Sequence, residues 1–409
     1  MSGPAYPAAR AVASKARDHF ARHLSAARQQ GLQNLAPEAP PEAIEAIIDA
    51  AFWASLRREE GYAPKISLAF LPPEQAGQAL TLEQPLPLTP HTLTRLAPAV
   101  ERPGIHLGVW PKADGESLAP TSAREPGRAA DAPPSGDNAG LVVWGATRTI
   151  PSYCFVLEVV EPGLLVIKHR SAQGSGKFVN VAVLEGDQVK VLDPLGTRLN
   201  DLPPLLKAVI GLDSLQGPGQ DAAADPVNVL LQLSVSMRAH RRGGSLLVVP
   251  AGSETWRESI VRPISYGVAP PFSALQSLLR EIPGVEQQRR WQEGLRRAVD
   301  AVAGLTAVDG ATILSDRYDL LAFGAKITPR EGGARVERVI LTEPLEGAVA
   351  RVVAPAQLGG TRHISAAQFA QDQHDANALV ASQDGRFTIF AWSEREQMVH
   401  AHRVEALLL

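Results

Sequence analysis

Apolar residues recur along the chain at two spacings, and each spacing predicts a different kind of element. Between Pro41 and Gly61 they return every three or four positions, which predicts an amphipathic helix with proline at its start and glycine after its end. The short apolar runs KISLAFL (65–71) and GIHLGVW (104–110) predict strands. Residues 141–220 alternate apolar and polar positions between Pro-Gly and Glu-Gly turns, which predicts a block rich in antiparallel strands, with a short helix in DLPPLLKAVIGL.

From about residue 225 helical and strand patterns alternate to the end of the chain. The segment DPVNVLLQLSVSMRAH predicts a helix, GGSLLVV a strand, and ATILSDRYDLLAFGAKI a strand pair that turns at Ser315-Asp316. The segment SAAQFAQDQHDA predicts a helix, NALVASQDGRFTIFAW a hairpin with Asp384-Gly385 at its tip, and the last residues a further helix. We see no internal repeat in the sequence.

Composition divides the chain into four regions. With 409 residues, 45% of them hydrophobic, the chain is long enough for two or three domains. Residues 112–140 are rich in Gly, Pro and Ala, which is typical of a flexible linker or loop. We therefore expect an α+β N-terminal region (1–111), this linker, the β-rich block (141–220) and a C-terminal domain (225–409). The fold class is α/β, with a mixed sheet flanked by helices in the C-terminal half.

From charge and hydropathy we expect a cytoplasmic protein with neither a DNA nor a membrane partner. The formal net charge of −3 lacks the basic excess of a general nucleic-acid binder, so we expect no DNA partner. No apolar run approaches the length of a membrane span, and the N-terminus lacks the apolar core of a secretory signal. The single cysteine, Cys154, sits in an apolar strand-like run and is interpreted as a buried structural thiol.

Three glycine-containing segments after residue 240 are candidates for ligand binding. A glycine turn that leads hydroxyl and basic residues into a helix start is a common phosphate-binding arrangement. Two other patterns are weaker. The segment GSGK (174–177) lacks the spacing of a phosphate-binding loop and is interpreted as a turn, and His400 and His402 lack a third metal ligand. The three segments contain Gly243 and Gly244, then Asp309, Gly310 and Ala311, and then Gly360, Thr361, Arg362 and His363.

The order of these segments resembles the diadenylate cyclase superfamily, also called the DisA N-terminal superfamily, which condenses two ATP molecules to cyclic di-AMP. Over residues 225–395, GGSLLVV, VDGATIL and GGTRHIS stand where that superfamily has its G-A-L-I-V strand, D-G-A segment and G-T-R-H-R signature. The chain is most similar to the non-cyclase DACNV branch, a probable sensor domain. The resemblance implies that the residues of the three segments bind a nucleotide, with Asp309 by the ribose and metal and with Thr361, Arg362 and His363 on phosphate. Ser382 matches the serine of the superfamily's last strand and is a further candidate nucleotide-binding residue.

Two departures from the superfamily pattern decide between binding and catalysis. Ile364 replaces the second arginine of the signature, and Gln383 replaces the glutamate that follows the serine. Losing one charge-stabilising group commonly costs about a hundredfold in rate, so these changes argue against efficient cyclisation. We therefore expect a nucleotide or cyclic-dinucleotide sensor that signals to a protein effector or through a homo-oligomer.

Two alternatives stay open. One is an active, dimeric cyclase that uses Asp309, Arg362 and Asp384 with Mg²⁺ or Mn²⁺, with Asp384 replacing the lost carboxylate. Retention of Asp309 favours this alternative, and Ile364 and Gln383 oppose it. The other is a structural scaffold whose former pocket is filled by side chains.

Overall fold

The chain divides into two compact units, each built on its own mixed sheet. We call Met1–Leu192 together with Leu409 the N-terminal unit, and Asp193–Leu408 the C-terminal unit. Seven helices and two mixed sheets among the described residues confirm the predicted α/β fold class. The structure, a computed structural model, describes residues 5–59, 61–112, 140–172, 178–192, 228–281, 283–284 and 286–409.

The N-terminal unit carries three helices on one face of an eight-stranded sheet. The strand order is β2-β4-β3-β1-β5-β6-β7-β8, with β1 and β3 parallel and every other pair antiparallel. The helices are α1 (Pro7–Gln29), α2 (Pro41–Ser55) and α3 (Pro90–Val100). The strands are β1 (Ile66–Phe70), β2 (Leu80–Pro87), β3 (His106–Pro111), β4 (Leu141–Thr147), β5 (Val156–Glu161), β6 (Leu164–Arg170), β7 (Phe178–Glu185) and β8 (Gln188–Val191).

Periodic apolar positions build the core of the N-terminal unit. Ile44, Ile47 and Ile48 of α2 lie on one helix face and are fully buried in the cluster that includes Leu68 of β1. The opposite face of the sheet holds a smaller cluster around Cys154, which confirms the predicted buried thiol. Burial is the main cause that raises the pKa of this thiol, so it packs as a small apolar group.

The C-terminal unit carries helices on both faces of a nine-stranded sheet. The strand order is β10-β12-β11-β9-β15-β16-β17-β13-β14. The helices are α4 (Val229–Ala239), α5 (Ala274–Arg280), α6 (Gln288–Leu305) and α7 (Thr361–Asp372). The strands are β9 (Gly244–Val249), β10 (Tyr266–Phe272), β11 (Ala311–Ser315), β12 (Leu320–Ala325), β13 (Val339–Thr342), β14 (Arg351–Val353), β15 (Asn377–Ala381), β16 (Phe387–Ser393) and β17 (Met398–Arg403).

The two sheets repeat one topology, although the sequence shows no repeat. The order β2-β4-β3-β1-β5-β6-β7 becomes β10-β12-β11-β9-β15-β16-β17 when each strand is replaced by its counterpart in chain order. The parallel pair β1–β3 corresponds to the parallel pair β9–β11. The helices α2 and α3 correspond to α4 and α6, since they precede and connect the same strands. Strand β8 and the pair β13–β14 are additions to this common fold.

The repeat extends to an irregularity in strand pairing. In the N-terminal unit the pairing of β2 with β4 shifts across residues 81–86 opposite residues 143–145. In the C-terminal unit the pairing of β10 with β12 shifts across residues 267–272 opposite residues 320–322. Both shifts set six residues against three, and such bulges redirect a strand edge locally. The shared bulge fixes a residue-by-residue alignment of the two units.

Helix α7 is the main difference between the two units. It lies between β12 and β15 in chain order and packs on β15, β16 and β17 through buried residues such as Phe369. The corresponding connection in the N-terminal unit, residues 148–155, contains no helix. One face of the N-terminal sheet therefore lacks the helix that covers the equivalent face of the C-terminal sheet.

Several predicted elements need comment. The predicted helical tail is wrong for residues 398–403, which form strand β17, and a short 3₁₀ turn follows at Glu405–Leu407. The regions predicted as 1–111 and 141–220 contribute strands to one sheet, because β1 lies between β3 and β5. The predicted helix in DLPPLLKAVIGL, the segment GSGK and nearly all of the predicted linker fall outside the described residues. Among the described helices, none has the length and apolar character that a membrane crossing requires.

Candidate functional site

The four motif segments meet at one edge of the C-terminal sheet, where the central strands β9 and β11 begin and β15 ends. Strands β9 and β11 are parallel, so Gly244 and Ala311 begin side by side at this edge. Strand β15 runs antiparallel to β9, and its last residue, Ala381, pairs with Gly244. Thr361 is the first residue of α7, and Arg362 reaches the same place. Residues far apart in sequence thus form a single candidate site.

Arg362 lies directly over Gly243. A Cβ atom on Gly243 would be 2.9 Å from Nη1 of Arg362 and 3.3 Å from the carbonyl oxygen of Ala381. Gly243 also has φ +69°, a left-handed conformation that favours glycine. The next residue, Gly244, is equally confined, because a Cβ there would be 2.6 Å from the carbonyl oxygen of Thr306. Gly243 therefore leaves room for the Arg362 guanidinium, whereas Gly244 leaves room for Thr306.

Asp309 and Gly310 form the second side of the site. The Asp309 carboxylate is exposed and accepts a hydrogen bond from Nζ of Lys326. This bond and the charge of Lys326 lower the pKa of Asp309, and the charge of Arg362 adds to the effect. Gly310 allows the close approach of two strands, since a Cβ at this position would be 2.4 Å from the carbonyl carbon of Gly324.

The β15–β16 hairpin forms the third side. The Ser382 hydroxyl donates to the Asp384 carboxylate, and Nε of Arg386 lies 3.4 Å from the other carboxylate oxygen. The hydrogen bond from Ser382 is the largest cause that lowers the pKa of Asp384. Gln383 donates from its side-chain amide to the carbonyl oxygen of Arg242 across a distance of 3.4 Å. The hairpin tip is thus tied to the segment that precedes Gly243.

Among the predicted residues that carry a side chain, two are buried. His363 is 3% exposed, its ring lies edge-on to Phe390, and its Nε2 atom is buried without a hydrogen-bond partner. Burial is the largest cause that lowers the pKa of His363, so the ring is neutral at pH 7. Ala311 is also buried. We therefore treat His363 and Ala311 as supports of the site, whereas Gly360 and Thr361 are exposed at the helix start.

The structure adds cations that the sequence analysis missed. Lys326 follows the last residue of β12, and Arg386 precedes β16, so both reach the site through strand pairing. Neither residue lies in a recognisable motif, and the signal that finds them is the sheet topology. Together with Arg362 they place three positive side chains around two carboxylates, Asp309 and Asp384.

Histidine and carboxylate groups give no metal cluster in the described part of the chain. No group of three His, Cys, Asp or Glu side chains there has an arrangement that holds a metal ion. His400 and His402 lie two residues apart on β17, and Nδ1 of His402 lies 2.6 Å from the Thr342 hydroxyl. The predicted role of Mg²⁺ or Mn²⁺ with a bound nucleotide therefore stays a prediction.

A known family model matches a segment of the N-terminal unit. Residues 33–119 match the family model of the probable sensor domain DACNV. Within the described residues the DACNV match covers α2, β1, β2, α3 and β3. Their counterparts in the C-terminal unit are α4, β9, β10, α6 and β11, which contribute Gly244 and Ala311 to the candidate site. No curated protein matches the chain.

The counterpart edge of the N-terminal unit lacks the motif residues. The aligned registers give three counterparts: Lys65 for Gly243, Gly104 for Asp309 and Val160 for Ser382. With no helix between β4 and β5, the counterpart of Arg362 is also missing from the described residues. The N-terminal unit therefore carries the common fold without this set of polar side chains.

Proposed function

We propose that the protein is a sensor that binds a nucleotide or cyclic dinucleotide at the edge of the C-terminal sheet. The observation that carries the proposal is the convergence of Gly243, Asp309, Arg362 and Ser382 from four separate elements. The DACNV match supports a sensor role for the chain. The ligand's signal passes to a protein effector or to a further copy of the chain.

The chemistry of the site suits a phosphorylated ligand. Arg362 offers planar, charge-assisted hydrogen bonds to phosphate oxygens, and the start of α7 adds backbone N–H groups and the positive end of the helix dipole. Asp309 is charged at neutral pH and accepts hydrogen bonds, which suits a ribose hydroxyl. Phosphate and sugar thus find groups of the correct polarity on adjacent sides of the site.

The same geometry favours binding over cyclisation. Ile364, in place of the second arginine, is 40% exposed and brings an apolar side chain to the helix start. Asp384, the carboxylate that remains in the hairpin, already accepts from Ser382 and faces Arg386. A metal-clamped triphosphate needs carboxylates and cations that are free to meet it, so this arrangement supports retention of the ligand unchanged.

Calorimetric titration of the full chain with cyclic di-AMP and with ATP, each with Mg²⁺, tests this proposal. Charged hydrogen bonds contribute about 1.5–3 kcal/mol, so Arg362→Ala is expected to weaken binding roughly tenfold to a hundredfold. Arg351→Ala is the matched control, because Arg351 is an exposed arginine on edge strand β14. Chromatography after each titration shows whether the ligand is recovered unchanged.

Each outcome of the titration decides between the functions considered. Saturable binding that Arg362→Ala weakens and Arg351→Ala preserves, with intact ligand, supports the sensor. Conversion of ATP to cyclic di-AMP would overturn the sensor proposal in favour of the cyclase. No binding of either nucleotide would leave the scaffold as the better account.

A further inference from the structure

A cleft opens in the N-terminal unit, far in sequence from the motif residues. It has a volume of about 280 Å³ and lies among β2, α3, β3 and β4. Leu80, one of its apolar lining residues, is 64% exposed, which is unusual for a leucine on a paired strand. The residues that line the cleft include Leu80, Leu82, Leu96, Ile105, Ala146 and Arg148.

The shared register identifies the counterpart of this cleft in the C-terminal unit. Leu80 pairs with Ala146, and one further pair, Thr81 with Gly145, separates them from the bulge between β2 and β4. At the same point before the matching bulge, Tyr266 of β10 pairs with Phe323 of β12. The rings of Tyr266 and Phe323 stack with centroids 4.9 Å apart and planes 5° from parallel. Two flat rings thus stand in the C-terminal unit where leucine and alanine stand in the N-terminal unit.

The difference in side-chain size explains the cleft. Leucine and alanine occupy less volume than tyrosine and phenylalanine, so the same backbone leaves an open space over β2 and β4. Side chains that line an unfilled apolar space lose dispersion contacts on one side. Ligand sites in proteins are concave, mostly apolar and marked by a few polar groups, and this cleft has that character.

We propose that this cleft binds a small flat ring compound with an acidic substituent, in the place that stacked aromatic side chains take in the C-terminal unit. The stacked pair supports the shape of the ligand, because the common backbone accommodates parallel rings at this position. Arg148 supports the acidic group, since it is the charged residue among those that line the cleft. Most of the lining residues fall within the DACNV segment, whose description is that of a sensor.

Calorimetric titration of the full chain with 1-naphthoate and, separately, with 2-naphthol tests the proposal. The double variant Leu80→Tyr/Ala146→Phe gives the N-terminal cleft the side chains of the C-terminal unit, and it is expected to weaken naphthoate binding at least tenfold. Leu56→Tyr is the matched control, because Leu56 is an apolar residue of the same unit that is 49% exposed and lies outside the cleft. It is expected to bind naphthoate as the unchanged protein does.

Further variants keep the proposal falsifiable. Ala146→Phe alone fills part of the cleft and replaces the double variant if circular dichroism shows that the latter does not fold. Arg148→Gln is expected to remove any preference for naphthoate over naphthol while leaving naphthol binding unchanged. Absence of saturable naphthoate binding, equal binding by the filled variant, or a preference that survives Arg148→Gln would overturn the proposal. None of these results depends on the nucleotide site, which uses other residues in the other unit.

Discussion

Gly243 meets two requirements at once, and they can be separated by experiment. Its φ of +69° costs an alanine about 1–2 kcal/mol, and a Cβ there would also collide with Arg362. Gly252 of the same unit has φ +79° but would place a Cβ in open space. The substitution Gly252→Ala therefore measures only the free-energy cost of placing alanine in a left-handed backbone conformation.

We expect Gly243→Ala to lower the free energy of unfolding by more than Gly252→Ala does, and to weaken cyclic di-AMP binding, which Gly252→Ala leaves unchanged. Urea denaturation and calorimetric titration of both variants measure the two effects. Equal losses of stability and of affinity in the two variants would show that Arg362 does not depend on the space above Gly243.

The buried histidines make stability depend on pH. Burial and the neighbouring His400 lower the pKa of His402 from 6.5 to about 3. Below pH 6.5 His402 therefore binds a proton in the unfolded chain but stays neutral in the folded chain. Its contribution to the free energy of unfolding falls as the pH drops toward 3. The expected slope is about 1.4 kcal/mol per pH unit for each such histidine.

We expect His402→Gln to flatten the decline of the unfolding free energy between pH 6.5 and pH 4 relative to the unchanged protein. Denaturation with urea at several pH values measures the slope, and replacement of exposed His91 by Gln is the control for removing a histidine. An unchanged slope in His402→Gln would mean that His402 is protonated in the folded state.

Sequence reasoning at this scale identifies residue types better than their surroundings. The glycines and Arg362 are predictable because their motif order is distinctive, and the structure brings them together. The burial of His363 is not predictable from the motif, because a helix start has both a buried and an exposed side and the motif does not say which side each residue takes. Lys326 is not predictable either, since only the pairing of β11 with β12 brings it to Asp309.

At the scale of elements, helix α7 links the site to the core. Its first turn carries Thr361 and Arg362, while Phe369 in its second half is fully buried between the helix and the sheet. We expect Phe369→Ala to lower the free energy of unfolding by about 3–5 kcal/mol, because it empties a large buried space. Phe272→Ala serves as the control, since Phe272 is 52% exposed on edge strand β10.

Denaturation measures this loss, and hydrogen exchange of the α7 amides shows whether the helix loosens before the sheet does. If Phe369→Ala and Phe272→Ala were equally destabilising, the packing of α7 on the sheet would not be a main source of the protein's stability.

Elements with regular patterns are the ones that the sequence predicts. Helix α2, strand β1 and the β15–β16 hairpin follow directly from apolar spacing and turn residues. Strand β2 and helix α3 are missed, because prolines interrupt both segments and α3 even contains Pro98 in its interior. Strand β17 is mistaken for a helix, because a short apolar run at the end of a chain has no periodicity long enough to decide.

At the scale of the whole molecule, one fold occurs twice with different polar residues. The C-terminal unit holds the motif residues, and their N-terminal counterparts are Lys65, Gly104 and Val160. We expect cyclic di-AMP to slow hydrogen exchange at the starts of β9, β11 and α7, and to leave the starts of β1 and β3 unchanged. Hydrogen-exchange mass spectrometry of the full chain measures both units in one experiment.

Slowed exchange at the N-terminal counterparts instead would move the nucleotide site to the other unit. The Arg362→Ala variant is the control, because any slowing that persists in it does not arise from the proposed site.

The repeated topology is beyond sequence reasoning for a physical reason. Strand order and bulge position depend on backbone pairing, and many side-chain sets satisfy the same pairing. Leu80 and Ala146 satisfy it as well as Tyr266 and Phe323 do, although one pair is aliphatic and the other is aromatic. The two units therefore keep a common register while their side chains diverge.

That divergence bears on how the protein can change over generations. Because the chain contains one scaffold twice, a substitution that alters one copy leaves the other copy unchanged. The side chains of each copy can therefore change independently while the strand order stays the same. The bulge between the outer strands is common to both copies, so it belongs to the scaffold that they share.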